Sequence, residues 1–67
     1  MTLQSCVITF TNKEILVGQS VETSLYLLES HVNNSISKVK IKTYDGFQER
    51  SYTFFSVEES LETLMNL

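Results

Sequence analysis

The groups best suited to proton transfer or nucleophilic attack are one imidazole and one thiol, His31 and Cys6. A catalytic centre needs a nucleophile, a base and an oxyanion donor within reach of one another, and no spacing in the chain supplies that set. His31 falls near the C-terminus of an expected helix, where an imidazolium is favoured without any catalytic role. Cys6 has the inward parity of a strand, where a free cysteine behaves as a small apolar side chain. A reactive thiol wants a neighbouring cation or helix N-terminus, and the sequence places neither beside it. A single cysteine forms no internal disulfide, and no Cys/His cluster is present to hold zinc. The residue types therefore point away from an enzyme, a metal site or a cofactor.

Two charged sets remain. Lys38, Lys40 and Lys42 alternate along one expected strand, and Tyr44, Phe47 and Phe55 share their parity. Basic residues interleaved with aromatics can hold single-stranded nucleic acid. Against that, five Lys and Arg stand beside eight Asp and Glu, for a formal charge of −3, and the overall field repels phosphate. Lysines on an exposed strand also block edge-to-edge aggregation. No direct nucleic-acid contact is expected, and the three aromatics suit a homodimer contact instead. The acidic set is Glu22 and Glu29, about 10.5 Å apart along a helix, with Glu58, Glu59 and Glu62 on another. Their ordinary role is a solvated helix face; the sharper one is to occupy a basic groove on a protein partner, where complementary charge speeds association.

The elements that carry these residues follow from pattern. Ile36 to Phe55 predicts a hairpin turning at Asp45-Gly46, a type I′ signal because both central residues tolerate positive φ. That turn sets Tyr44 opposite Phe47, Lys42 opposite Glu49, Lys40 opposite Ser51 and Val39 opposite Tyr52. Val39, Ile41, Tyr52 and Phe54 then share the core face, with Arg50 at its margin. Gln4 to Thr11 alternates as a strand, Asn12-Lys13 turns, and Ile15 to Val17 returns as a short strand ended by Gly18, where a close backbone approach is expected. Ser20 caps a helix whose apolar stripe is Val21, Leu25, Leu28 and Val32, with Asn33-Asn34 at its end. Ser56 to Glu59 matches a capping box for a second helix with Val57, Leu61, Leu64 and Met65 on one stripe.

The fold expected is α+β: a small antiparallel sheet of three or four strands with two helices on one face, in the order β-(β)-α-β-β-α, as a single domain over 1–67. No internal repeat is read. A core this small rarely supplies more than about 3–5 kcal/mol, which favours a partner or a homodimer. No membrane span or signal peptide is read, so a cytoplasmic location is expected, in the host cell if the chain is phage-encoded.

Residues 13 to 55 resemble the phage-type uracil-DNA glycosylase inhibitors. The parts that carry the likeness are Ile15-Leu16-Val17, then Gln19-Ser20-Val21-Glu22, the helix that follows, and Val39-Lys40-Ile41-Lys42-Thr43-Tyr44. The family often has glutamate where this chain has Gln19, and an N-terminal helix where this chain predicts a strand. The resemblance implies a non-enzymatic DNA mimic that blocks a glycosylase. Ser20 and Glu22 would then face the enzyme's groove, with Gln19 beside them among the partner-binding residues. Val21, Leu25, Leu28, Val39, Ile41, Tyr52 and Phe54 would line a pocket between helix and sheet for the enzyme's minor-groove side chain. The alternative is another phage anti-host protein, or a homodimeric regulator using the Tyr44/Phe47/Phe55 face.

Overall fold

The computed structural model describes residues 2–31 and 35–67. Its elements are β1 (Thr2–Phe10), β2 (Ile15–Gly18), α1 (Val21–Ser30), β3 (Ile36–Tyr44), β4 (Glu49–Phe54) and α2 (Val57–Met65). The strands form one antiparallel sheet in the order β2-β1-β3-β4. Both helices cover the same face: Leu28 of α1 and Leu64 of α2 join Cys6, Ile8, Val39 and Ile41 of the sheet in one core. The expected α+β architecture and element order are therefore those observed. The expected helix end at Val32 and Asn33-Asn34 lies outside the described residues; α1 closes at His31, whose N–H donates to the Leu27 carbonyl at 3.2 Å.

The β3–β4 register differs from the one a two-residue turn dictates. Tyr44 faces Glu49, Lys42 faces Ser51, Lys40 faces Thr53 and Val39 faces Phe54. The expected Lys42–Glu49 pair is not made. Asp45 is the cause, because its Oδ1 accepts from the amides of Phe47 at 2.8 Å and Gln48 at 2.9 Å. Its own N–H donates to the Gln48 carbonyl, and Gly46 supplies the φ of 99° that the bend requires. The loop thus consumes Asp45 to Gln48 instead of two residues, and the pairing moves by two. An even shift preserves facing, so Val39, Ile41, Tyr52 and Phe54 still point at the helices.

The β1–β2 turn is tightened by Lys13, at φ 73°, and by Asn12 Oδ1 accepting from the Glu14 amide at 3.0 Å. Gly18 then meets α1. A Cβ built on it lies 2.6 Å from Ser24 Oγ, so the helix approaches β2 as closely as a glycine allows.

The chain is built as two β-β-α halves, contrary to the expectation of no repeat. Helix residues recur at an offset of 36: Ser20/Ser56, Val21/Val57, Glu22/Glu58, Ser24/Ser60, Leu25/Leu61 and Leu28/Leu64. Their bonds recur too. Ser20 and Ser56 are both N-caps, accepting from the amides of Thr23 and Glu59. Ser24 and Ser60 are both fully buried and donate to the carbonyls of Ser20 at 2.7 Å and Ser56 at 2.9 Å. The halves join through the antiparallel β1–β3 ladder, which gives the sheet a pseudo-twofold axis near the Val7–Lys40 pair.

Candidate functional site

The residues expected to line a pocket do not meet around an open space. Leu28, Val39 and Ile41 are at most 1% exposed and fill the core with one another. Val21 and Leu25 pack against that core at its edge. The expected hollow between the first helix and the central hairpin is closed because a second helix intervenes: α1 lies over β1 and β2, and α2 lies over β3 and β4. Gln19, Ser20 and Val21 border a separate depression of about 340 Å3 with Thr2, Leu3 and Leu67. Glu22 is exposed in the first turn of α1.

Tyr52 and Phe54 are the two predicted residues that do line an accessible groove. It measures about 450 Å3 and runs between β4 and α2, with Glu59, Glu62, Thr63, Asn66 and Leu67 on its walls. The two rings form the floor, stacked with centroids 6.5 Å apart and planes 19° apart. The residues that differ between the two halves explain why the groove lies in this one. In the first half the positions equivalent to Tyr52 and Phe54 are Leu16 and Gly18, and the glycine brings its helix down onto the strand. The bulkier pair in the second half lacks that close approach. Sequence parity placed both rings on the helix-facing side, but not the helix that would stand over them.

The groove is apolar below and anionic above. Glu59 and Glu62 are exposed at its rim, one turn apart on α2. The α1 and α2 spans together hold Glu22, Glu29, Glu58, Glu59 and Glu62 and no lysine or arginine. An apolar side chain entering between the rings and Leu67 would therefore pass the two carboxylates of Glu59 and Glu62 on the α2 wall, which favours a tip carried on a basic surface.

A larger depression, about 520 Å3, sits beside the β1–β2 turn and is lined by Phe10, Glu14, Leu16 and His31 among others. The His31 ring stands edge-on to Phe10 at 5.5 Å and 70°, an aromatic packing contact. Thr11 and Ser35 line the same depression. Cys6 is fully buried, and burial pushes its thiol above the ordinary value, while the Ser24 hydroxyl acts in the opposite sense. Among the described residues no group of three or more His, Cys, Asp or Glu is arranged to hold a metal ion.

The aromatics proposed for a dimer face are exposed, Phe47 at 94%, Phe55 at 80% and Tyr44 at 40%. They do not form one patch. Phe47 lies in the hairpin loop and Phe55 beyond the far end of β4, with about 17 Å of strand between. Among the described residues no helix is long and apolar enough to cross a membrane. Among known families, characterised proteins and solved structures, no match to this chain is found.

Proposed function

We propose that this is a small non-enzymatic binding protein whose acidic helical layer seats in a basic groove of a protein partner, while the Tyr52–Phe54 groove receives an apolar side chain from that partner. The observation that carries the reading is the coincidence of an aromatic-floored groove with a carboxylate rim on a layer that holds no cation. Burial of one apolar side chain between the rings contributes about 1.5–3 kcal/mol, and the carboxylates add rate and discrimination. Grooves that are basic and present an apolar wedge are characteristic of enzymes that grip and distort nucleic acid. Uracil-DNA glycosylase, the target implied by the resemblance, is the first member of that class to test.

The test is titration of the protein into a uracil-excision assay, with size-exclusion chromatography of the mixture. Stoichiometric loss of excision and co-elution are expected, both relieved by Tyr52→Lys and by the pair Glu59→Lys/Glu62→Lys while circular dichroism stays unchanged. Unimpaired excision at an excess of folded protein rejects this target. Inhibition that survives all of those substitutions rejects the groove.

A further inference from the structure

The face of the sheet that no helix covers is divided by chemistry along the pseudo-twofold axis. On β3 the outward residues are Lys38, Lys40 and Lys42. Their cross-strand neighbours are Thr9 for Lys38, Val7 and Thr53 for Lys40, and Ser5 and Ser51 for Lys42, with no carboxylate among them. On the other half the outward residues include an aliphatic patch beside Ser5 and Thr9: Val7 pairs with Val17, and Ile15 and Val17 are 58% and 52% exposed. A lysine row and an aliphatic patch thus lie side by side on one surface.

Neither half of this surface is explained by folding. β3 is an interior strand, flanked by β1 and β4, so its lysines guard no edge and the anti-aggregation role expected for them is unavailable. Nor does the strand position demand them, since the equivalent outward residues of β1 are Ser5, Val7 and Thr9. Three ammonium groups stand in a line on a protein whose net charge is −3, opposite a helical layer that holds none.

We propose that this open face docks an acidic amphipathic α-helix of another protein, its carboxylates on the Lys38–Lys40–Lys42 row and its apolar stripe on Val7, Ile15 and Val17. The spacings agree. Alternate residues of a strand are about 6.7 Å apart, and residues four apart on a helix rise about 6 Å, so an i, i+4, i+8 row of glutamates tracks the three lysines. A helix about 10 Å across spans two inter-strand spacings of about 4.8 Å, the distance from β3 across β1 to β2. It therefore covers the lysines of β3 and the aliphatics of β1 and β2 together. The result is a sheet with helices on both faces, an established layer arrangement. A second copy packed sheet to sheet would bring two lysine rows together without a counter-charge. Single-stranded nucleic acid would want stacking rings between the cations; the exposed Tyr44 stands only beyond the end of the row, paired with Glu49, and the residues paired with the lysines are Ser5, Val7, Thr9, Ser51 and Thr53.

The inference is independent of the α2–β4 groove, which lies in the other layer, and the experiment separates them. The isotopically labelled full chain is titrated with a synthetic peptide of about 18 residues, long enough for helix formation, carrying leucine on one stripe and glutamate at i, i+4 beside it. Amide shifts confined to β1, β2 and β3 are expected, with binding weakened about tenfold or more by Lys40→Glu and by a rise in salt. Val17→Asp is expected to weaken it as well, separating the apolar stripe from simple charge attraction. The same peptide with lysine in place of glutamate should not bind. No shift at about 1 mM peptide, the weak limit of specific affinity, overturns the proposal, as do shifts centred on α2 and β4. Tighter binding of oligo(dT) or of phosphatidylserine vesicles to this face also overturns it, in favour of an anionic polymer or a lipid surface.

Discussion

Gly18, Ser24 and Cys6 meet where α1 packs onto β2 and β1. Gly18 would place a Cβ 2.6 Å from Ser24 Oγ and 3.1 Å from its Cα, and the second distance involves backbone that a rotamer change cannot relieve. Gly18→Ala therefore forces α1 away from β2 and should destabilise the fold by about 1–3 kcal/mol, the usual cost of overpacking. The check is a lower urea midpoint with an unchanged slope. Adding Ser24→Ala removes the closest atom and should restore only part of the loss. Cys6 makes a separate prediction at alkaline pH. Its thiol is raised above 9.0 in the folded state by burial, so above about pH 9 the unfolded chain gives up a proton that the folded chain keeps. Stability from this group is intact below that pH and falls as pH rises through the window above it. Urea midpoints measured between pH 8 and 10 should fall more steeply for the wild type than for Cys6→Ala, and the native thiol should resist a disulfide reagent until the chain unfolds.

At the scale of elements, the hairpin shows what determines register. Asp45 is fully exposed, yet the amides of Gln48 and Phe47 hold its carboxyl below the ordinary value of 3.8. Its contribution to the turn is present above the unfolded value and is lost as pH falls through the lower folded one. Asp45→Ala should accelerate hydrogen exchange at Phe47 and Gln48 and make the acid limb of a stability profile below about pH 4 shallower. Unchanged exchange at both amides would remove Asp45 as the register-setting residue. The same residue marks the boundary of what pattern alone reveals. Alternation over 36–55 fixes which side chains face the helices, because parity survives any even shift. It does not fix which partner each residue faces, because that depends on how many residues the Asp45 carboxylate gathers into the loop. Helix starts were legible since Ser20 and Ser56 cap through local bonds. The site was legible only in part: the inward parity of Tyr52 and Phe54 is local, whereas their cover by α2 and not α1 is a matter of topology. The repeat is not legible in the strands, where outward and inward residues both differ between the halves, and the identities are confined to the helices at Ser20/Ser56 through Leu28/Leu64.

The whole molecule is a two-layer slab, 35 × 19 × 17 Å in extent, with five glutamates on the helices and three lysines along the open face of β3. The fold repeats itself, but the chemistry does not. Equivalent positions carry Val7 and Lys40, Gly18 and Phe54, Leu16 and Tyr52, so one repeated frame carries both an aromatic groove and a basic half-face. If the frame is a true pair of β-β-α units, the α1-to-β3 connection corresponds to a return from α2 to β1. The geometry permits that return, since Leu67 shares a depression with Thr2 and Leu3. A circular permutant opened between α1 and β3, with a short glycine-serine linker joining the present ends, would run β3-β4-α2-β1-β2-α1. It retains every strand pairing and both serine caps, and it exchanges one loop closure for another of similar length, a difference of about 1 kcal/mol or less. The permutant should unfold cooperatively with the wild-type urea slope and give the same β1–β3 amide connectivities by NMR. A permutant that stays unfolded, or that folds with β1 no longer beside β3, would show that the two halves are not interchangeable and that the likeness of their helices is only capping chemistry used twice.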